Sequence, residues 1–233
     1  MGSRYDLRGV ALFKNVNGCA IATLLAVATQ KSLPKGAVFF REGEPAEHGY
    51  LVVTGHVKLV QTGLAGDQVV VRVVGPGEML GWVASMGGGT FPGTAEAVAD
   101  CVGLCWDRHA IRQAVLHQPE LALNALEVLG TRLREVQDRL REVITERVEQ
   151  RLARALLRLA EAAGRPAADG VAIAFPVSRQ MLAETAGATL HTASRIVAAW
   201  TQLGIVAGGR GRLVVLRPER LRAIADGAPA DER

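Results

Sequence analysis

The stretch RQMLAETAGATLHTASRIVAAW, from Arg179 to Trp200, decides the fold. It scans as two short helices around a turn. Ser178, just ahead of it, suits the N-cap, where a side-chain oxygen accepts an otherwise unpaired backbone N–H. Leu182, Ala183 and Ala186 then face inward, and the small Ala183 lets a second helix approach. Gly187 stands where the turn needs a left-handed backbone, which glycine adopts without steric cost. Ala193, Ile196 and Val197 bury the second helix, with Ala199 or Trp200 and Leu203 extending that face. Thr189, His191, Thr192, Ser194 and Arg195 are left at or near the outer face, toward the N-terminal half. A recognition helix presents that end to base edges in the major groove. A helical pair with a merely solvated polar face is the alternative.

Downstream, Gly204-Ile205-Val206-Ala207 and Leu213-Val214-Val215-Leu216 flank Gly208-Gly209-Arg210-Gly211-Arg212. Two apolar runs around a glycine-rich turn predict a hairpin. Its Arg210 and Arg212 would meet phosphates, giving affinity and salt dependence without sequence choice. Glu184 is the only acid between Arg179 and Arg217.

Upstream, a strand-like run covers Val171 to Phe175, and a helix is expected from about Thr145 to Ala163, ending near Gly164 and Pro166. Before it, Leu126, Leu129, Leu133, Val136, Leu140 and Val143 alternate steps of three and four, which is a heptad seam. The narrow, sustained stripe favours a parallel two-helix dimer over a helix packed on its own barrel. The flanks give no register, because Arg132 would face Gln137 and Arg139 would face Ile144. From Lys35 to Asp107, short β-branched runs alternate with glycine turns, as in an antiparallel sandwich or barrel.

Composition bounds the rest. The 233 residues carry a formal charge of +4, and the pI is near 9.3. That excess is mild, so the placement of the arginines matters more than their sum. Three cysteines, Cys19, Cys101 and Cys105, are too few and too odd in number for a disulfide framework and fit a reducing compartment. No basic-plus-apolar leader and no membrane-spanning apolar run is read, so a cytoplasmic protein with no membrane partner is expected.

At this point the sequence resembles the Crp/Fnr family of bacterial transcription regulators, over nearly its whole length. The likeness includes Gly43-Glu44-x-Ala46, Tyr50 with Gly55, Gly75-Pro76-Gly77-Glu78, and Arg151-Leu152-Ala153 at the start of a linker helix. It is most specific in Val177-Ser178-Arg179-Gln180 and Thr192-Ala193-Ser194-Arg195. The resemblance implies an α+β fold: a cyclic-nucleotide-binding-like β-roll at 1–118, a dimerisation helix at 119–148 and a winged helix-turn-helix at 149–233. It implies base contacts by Thr189, His191, Ser194 and Arg195, with Arg195 on guanine O6 and N7. Arg179, Gln180, Thr192, Arg210 and Arg212 would touch the DNA backbone. His191 stands where the family usually has Glu. Glu accepts from cytosine N4, whereas imidazole can donate, so a shifted base preference is expected; a His contacting phosphate or water is the alternative. The partners implied are a palindromic DNA operator, a second copy of the chain and, as a candidate, RNA polymerase.

The effector pocket implied by the resemblance comprises Gly81, Trp82, Val83, Gly93, Thr94, Val136 and Gln137. Trp82 replaces the family's Glu after Gly81, Gly93-Thr94 replaces its Arg-Ser, and Val136-Gln137 replaces the pair that meets the purine. Without the arginine a buried cyclic phosphate lacks its partner, so no cyclic AMP binding is expected. A lone Cys19 near the N-terminus argues against an iron–sulfur cluster. Cys101 and Cys105 read as buried structural thiols. Gly81-Trp82-Val83-Ala84 and Leu190-His191-Thr192 look like the branch linked to nitric oxide and denitrification, which makes haem a candidate cofactor. His48, His56, His109 and His117 form no ligand-spaced cluster, and no metal ligand is assigned. Effector-linked motion of the roll would re-aim the recognition helices. A regulator with a ligand-free roll, in which Trp82 is a core plug, is the second reading. A cupin-like enzyme is the rival of another class, but the His-x-His pattern and later His it needs are missing. No enzyme is expected.

Overall fold

A computed structural model of the chain describes residues 7, 9–209 and 211–230. Contacts divide the chain into two units, which exchange between Gln61 and Thr62, between Val73 and Val74, and between Gln137 and Asp138.

The first unit begins with α1 (Gly18–Val27), capped by the Asn17 side chain, which accepts from Cys19 N–H. Strands β1 (Thr29–Leu33), β2 (Val38–Phe40), β3 (His48–Thr54), β4 (Val57–Thr62) and β6 (Met79–Leu80) follow, while β5 (Gln68–Val74), between β4 and β6 in the chain, belongs up to Val73 to the second unit. Then come α2 (Trp82–Gly87), β7 (Thr94–Ala97), β8 (Cys101–Asp107), α3 (Arg108–His117) and α4 (Pro119–Thr145). The strands of this unit form two antiparallel sheets, ordered β1-β8-β3-β6 and β2-β7-β4. Alternation along β7, with Ala95 and Ala97 buried and their neighbours partly exposed, is the period-2 signature of a half-covered strand. Strand β1 has the polar sequence TQKSL and little burial, so hydrophobic pattern alone does not reveal it; pairing with β8 makes it.

Two cores result. One lies inside the roll and contains Phe39, Phe40, Tyr50, Val52, Leu80, Phe91, Cys101 and Cys105. The other joins Phe13, Leu51, Trp82, Trp106, Ile111 and Leu121. Trp106 Nε1 donates to Leu24 O at 2.8 Å, tying β8 to α1.

The second unit holds the end of α4, then α5 (Val148–Ala163), β9 (Gly164–Ala167), β10 (Gly170–Ile173), α6 (Arg179–Ala186), α7 (Leu190–Gln202), β11 (Val206–Gly209), β12 (Arg212–Val215) and α8 (Pro218–Ala225). Its sheet runs β11-β12-β10-β9. Three details differ from the sequence reading. Helix α5 does not start at Thr145; Glu146 and Arg147 break it from α4, and Arg147 N–H is taken by the Gln150 side chain at 3.0 Å. Past Ala163, where α5 ends as expected, Gly164 to Ala167 is a strand paired with β10, which the sequence reading leaves unassigned. Gly208 and Gly209 belong to a strand, because they pair antiparallel with Leu213 and Arg212 of β12; a Cβ on Gly208 would lie 2.2 Å from Arg212 O, which keeps that position glycine.

Candidate nucleic-acid interface

Helices α6 and α7 are built as the sequence indicates. Ser178 Oγ accepts Met181 N–H at 3.0 Å. Gly187 ends α6 with φ 60° and ψ 50°. Leu182, Ala183 and Ala186 are buried on α6, and Ala193, Ile196, Val197 and Trp200 on α7. The open choice between Ala199 and Trp200 falls to Trp200, whose indole donates to Glu149 Oε1 at 3.1 Å. Leu203 is not part of the inner face; it is 41% exposed.

The opposite side of α7 is the polar one. His191 and Arg195 are exposed, and Thr192 and Ser194 are half-buried beside them. His191, Ser194 and Arg195 are three and four residues apart and therefore share one stripe of the helix. Thr189 is the N-cap: its Oγ1 accepts Thr192 N–H at 3.2 Å and donates to Thr192 Oγ1 at 2.9 Å. That engages the Thr189 proton and leaves the Thr192 hydroxyl free to turn its own proton outward. Leu190, the first residue of α7, is 48% exposed at the same end. Sequence pattern assigns an apolar helical residue to a core, which hides Leu190; its place one step past the N-cap is the signal that exposes it.

The described cations assigned to the DNA backbone sit on other elements of the same unit. Arg179, at the start of α6, is half-buried, and burial lowers its guanidinium pKa. Among the described residues it has no hydrogen-bond or ion-pair partner. A partly desolvated cation at the positive end of a helix lacks an anion. Gln180 is exposed and donates to Glu184 Oε1 at 2.8 Å. Arg212 is exposed at the start of β12. Arg210 lies outside the described residues.

The residues assigned to an effector pocket are not brought together. Trp82 is 2% exposed and packs in the outer core, edge-on to Phe13 and Trp106 with centroids 6.2 Å and 5.5 Å away. It therefore lines no space inside the roll. Gly81 sits under Phe91, which stacks on Phe40 at 3.8 Å. Gly93 lies against Val60 O, and Thr94 Oγ1 accepts Glu42 N–H at 3.1 Å. Val83, Val136 and Gln137 are exposed. The residues present do not fit a haem: iron needs an axial ligand beside a porphyrin-sized apolar space, but aromatic rings fill the roll, His48, His109 and His117 are exposed, and the buried His56 sits in the β3–β4 turn, its carbonyl accepting Val98 N–H and the Cys101 thiol. Cys101 and Cys105 are buried, and desolvation raises both thiols above their ordinary value. No helix among the described residues is long and apolar enough to cross a membrane.

The seam on α4 is open. Leu126, Leu129, Leu133, Val136, Leu140 and Val143 are all exposed, so the helix does not bury that stripe on its own barrel. The flanking arginines turn elsewhere. Arg132 donates to Glu78 Oε1 at 2.7 Å, and Arg139 donates to Val71 O.

Comparison with known proteins agrees with this geometry. Residues 30–118 match the cyclic nucleotide-binding domain family, and residues 150–224 match the Crp-like helix-turn-helix domain family. A "CRP-like cAMP-activated global transcriptional regulator" of Mycobacterium tuberculosis is 26% identical, over 92% of this chain and 96% of its own length. A "Cyclic AMP receptor protein" of Thermus thermophilus is 29% identical, over 95% of this chain and 99% of its own. The structure of FixK2 from Bradyrhizobium japonicum aligns with a TM-score of 0.76 at 26% identity, covering 87% of this chain and 100% of that one. With a roll, a long helix and a helix-turn-helix in that order, this chain belongs to the Crp/Fnr family of DNA-binding transcription regulators, which are not enzymes.

Proposed function

We propose that the chain regulates transcription as a homodimer on a palindromic operator, with residues 119–148 pairing the copies and 149–233 reading DNA. The observation that carries this reading is the open seam on α4 together with the stripe of exposed His191 and Arg195 and half-buried Ser194 on α7. Two-fold symmetry places half-site centres about one helical turn, roughly 34 Å, apart. Arg195 reads guanine through O6 and N7, Ser194 and His191 read the adjoining pairs, and Leu190 packs on a thymine methyl. Arg179, Thr192 and Arg212 hold phosphates. Binding-site selection on wild type and Arg195→Ala tests it. The variant should lose one guanine preference, worth about 1–3 kcal/mol. Identical selected sequences would remove the assignment.

The roll senses a signal other than cyclic AMP. Trp82 in the outer core and the Phe40–Phe91 stack over Gly81 support a second reading, in which the roll is a ligand-free platform. Thermal melting with and without cyclic AMP should give one midpoint; a concentration-dependent rise would overturn both readings.

A further inference from the structure

The Arg151-Leu152-Ala153 motif is not used by any DNA contact, yet Arg151 makes three hydrogen bonds. Its Nε donates to Ala186 O at 2.9 Å and its Nη2 to Gly187 O at 3.1 Å. Ala186 is the last residue of α6 and Gly187 is its left-handed cap. These carbonyls belong to a helix end that leaves its acceptors without intrahelical partners. The third bond runs from Nη1 to Glu146 O at 2.9 Å. Glu146 lies in the two-residue break between α4 and α5. One planar guanidinium thus joins the break to the turn that aims the recognition helix.

A second arginine holds the same break residue from the other side. Arg154 Nε meets the Glu146 carboxylate at 3.0 Å, and its Nη2 donates to Ala225 O, at the end of α8, at 2.9 Å. One turn further, Arg158 pairs with the buried Glu142 of α4 at 2.8 Å. The break could flex, but its carbonyl and its side chain are both fixed to the helices around α7.

We infer that Arg151 is a positioning residue for operator reading. It touches no DNA. It fixes the angle between the end of α4 and the α6–α7 turn, so that two copies of α7 are presented at one spacing. The inference rests on the paired reading proposed above. Lysine cannot replace it, because a single ammonium does not span three carbonyls set around a planar fork.

The test uses full-length wild type, R151Q and R151K on palindromic DNA with identical half-sites and spacers changed in one-base-pair steps. Melting curves run alongside. Wild type should prefer one spacer over its neighbours by about tenfold, a contrast typical of a misplaced contact. R151Q should flatten that preference to roughly threefold or less, while binding to a single half-site stays as in wild type. R151K, which keeps the charge and the stem, should flatten it too and stands in if R151Q fails to fold. A residue needed only for stability would scale binding to every spacer alike. An unchanged spacer profile in the folded variants therefore overturns the inference. If wild type itself shows no spacer preference, the paired reading fails and the inference falls with it.

Discussion

At the scale of single residues, the polar stripe of α7 is what the proposed function assigns to base choice. His191 is exposed and stands where a carboxylate is usual in the family. A carboxylate only accepts, so it selects the amino group of cytosine, whereas imidazole offers a donor as well. His191→Glu should therefore move the preferred base at one position of each half-site and leave the Arg195 guanine in place. Parallel site selection on the two proteins checks this, and two identical logos would show that His191 reads no base. Most of this stripe is legible in the sequence, because Ser178, Gly187 and the buried alanines fix the helical phase. Thr189 is less so: its polarity marks the outer face, but only the hydrogen bonds to Thr192 make it a cap. Leu190 is hidden for the opposite reason, since an apolar letter in a helix points to a core until its position at the helix start is known.

Elements show the same division between what pattern carries and what pairing decides. The seam on α4 is plain from its steps of three and four, and its exposure in the single chain leaves apolar surface uncovered. Leu133→Asp with Leu140→Asp would put two carboxylates per copy into that stripe. Sedimentation should then report a monomer, and affinity for a full palindrome should fall toward that for one half-site, while the fold persists because neither residue is buried in the chain. A persistent dimer would place the interface elsewhere. Strand β1 and the break at Glu146 and Arg147 are not legible, because a polar edge strand and a two-residue kink carry no periodic signal; β8 and Gln150 define them. Trp82 is a subtler case. Sequence neighbours align it with a ligand-binding loop, yet the start of α2 turns the indole into the outer core. Inside the roll, desolvation raises the Cys101 and Cys105 thiols and the Tyr50 phenol above their ordinary values of 9.0 and 10.0. The folded state then holds these protons more tightly than the unfolded chain. Its contribution is complete well below pH 9 and is lost as pH rises from the ordinary thiol and phenol values toward the raised ones of the folded state. Urea midpoints should fall between pH 8.5 and 10.5, and less steeply for Cys105→Ala; a flat profile would contradict the burial.

For the whole molecule, the question is what a formal charge of only +4 can do on DNA. Net charge is a poor guide, because phosphates respond to cations within a Debye length, about 8 Å in physiological salt. Arg179 and Arg212 both lie in the DNA-reading unit. The only acid between Arg179 and Arg217, Glu184, accepts from Gln180. Acids elsewhere, such as Glu142 and Glu146, are paired with Arg158 and Arg154. The proposed symmetric dimer would therefore bring at least four guanidinium groups to the backbone. Counterion release then predicts a slope of roughly −4 or steeper in log affinity against log salt. Arg212→Ala removes one phosphate contact per copy, so the slope should soften by about 2 with the selected sequence unchanged. Arg195→Ala is the counterpart, changing sequence choice far more than the slope. Titrations of both variants from low to physiological salt separate the two kinds of contact. If Arg212→Ala altered base preference and Arg195→Ala altered only the slope, the roles of wing and recognition helix would have to be exchanged.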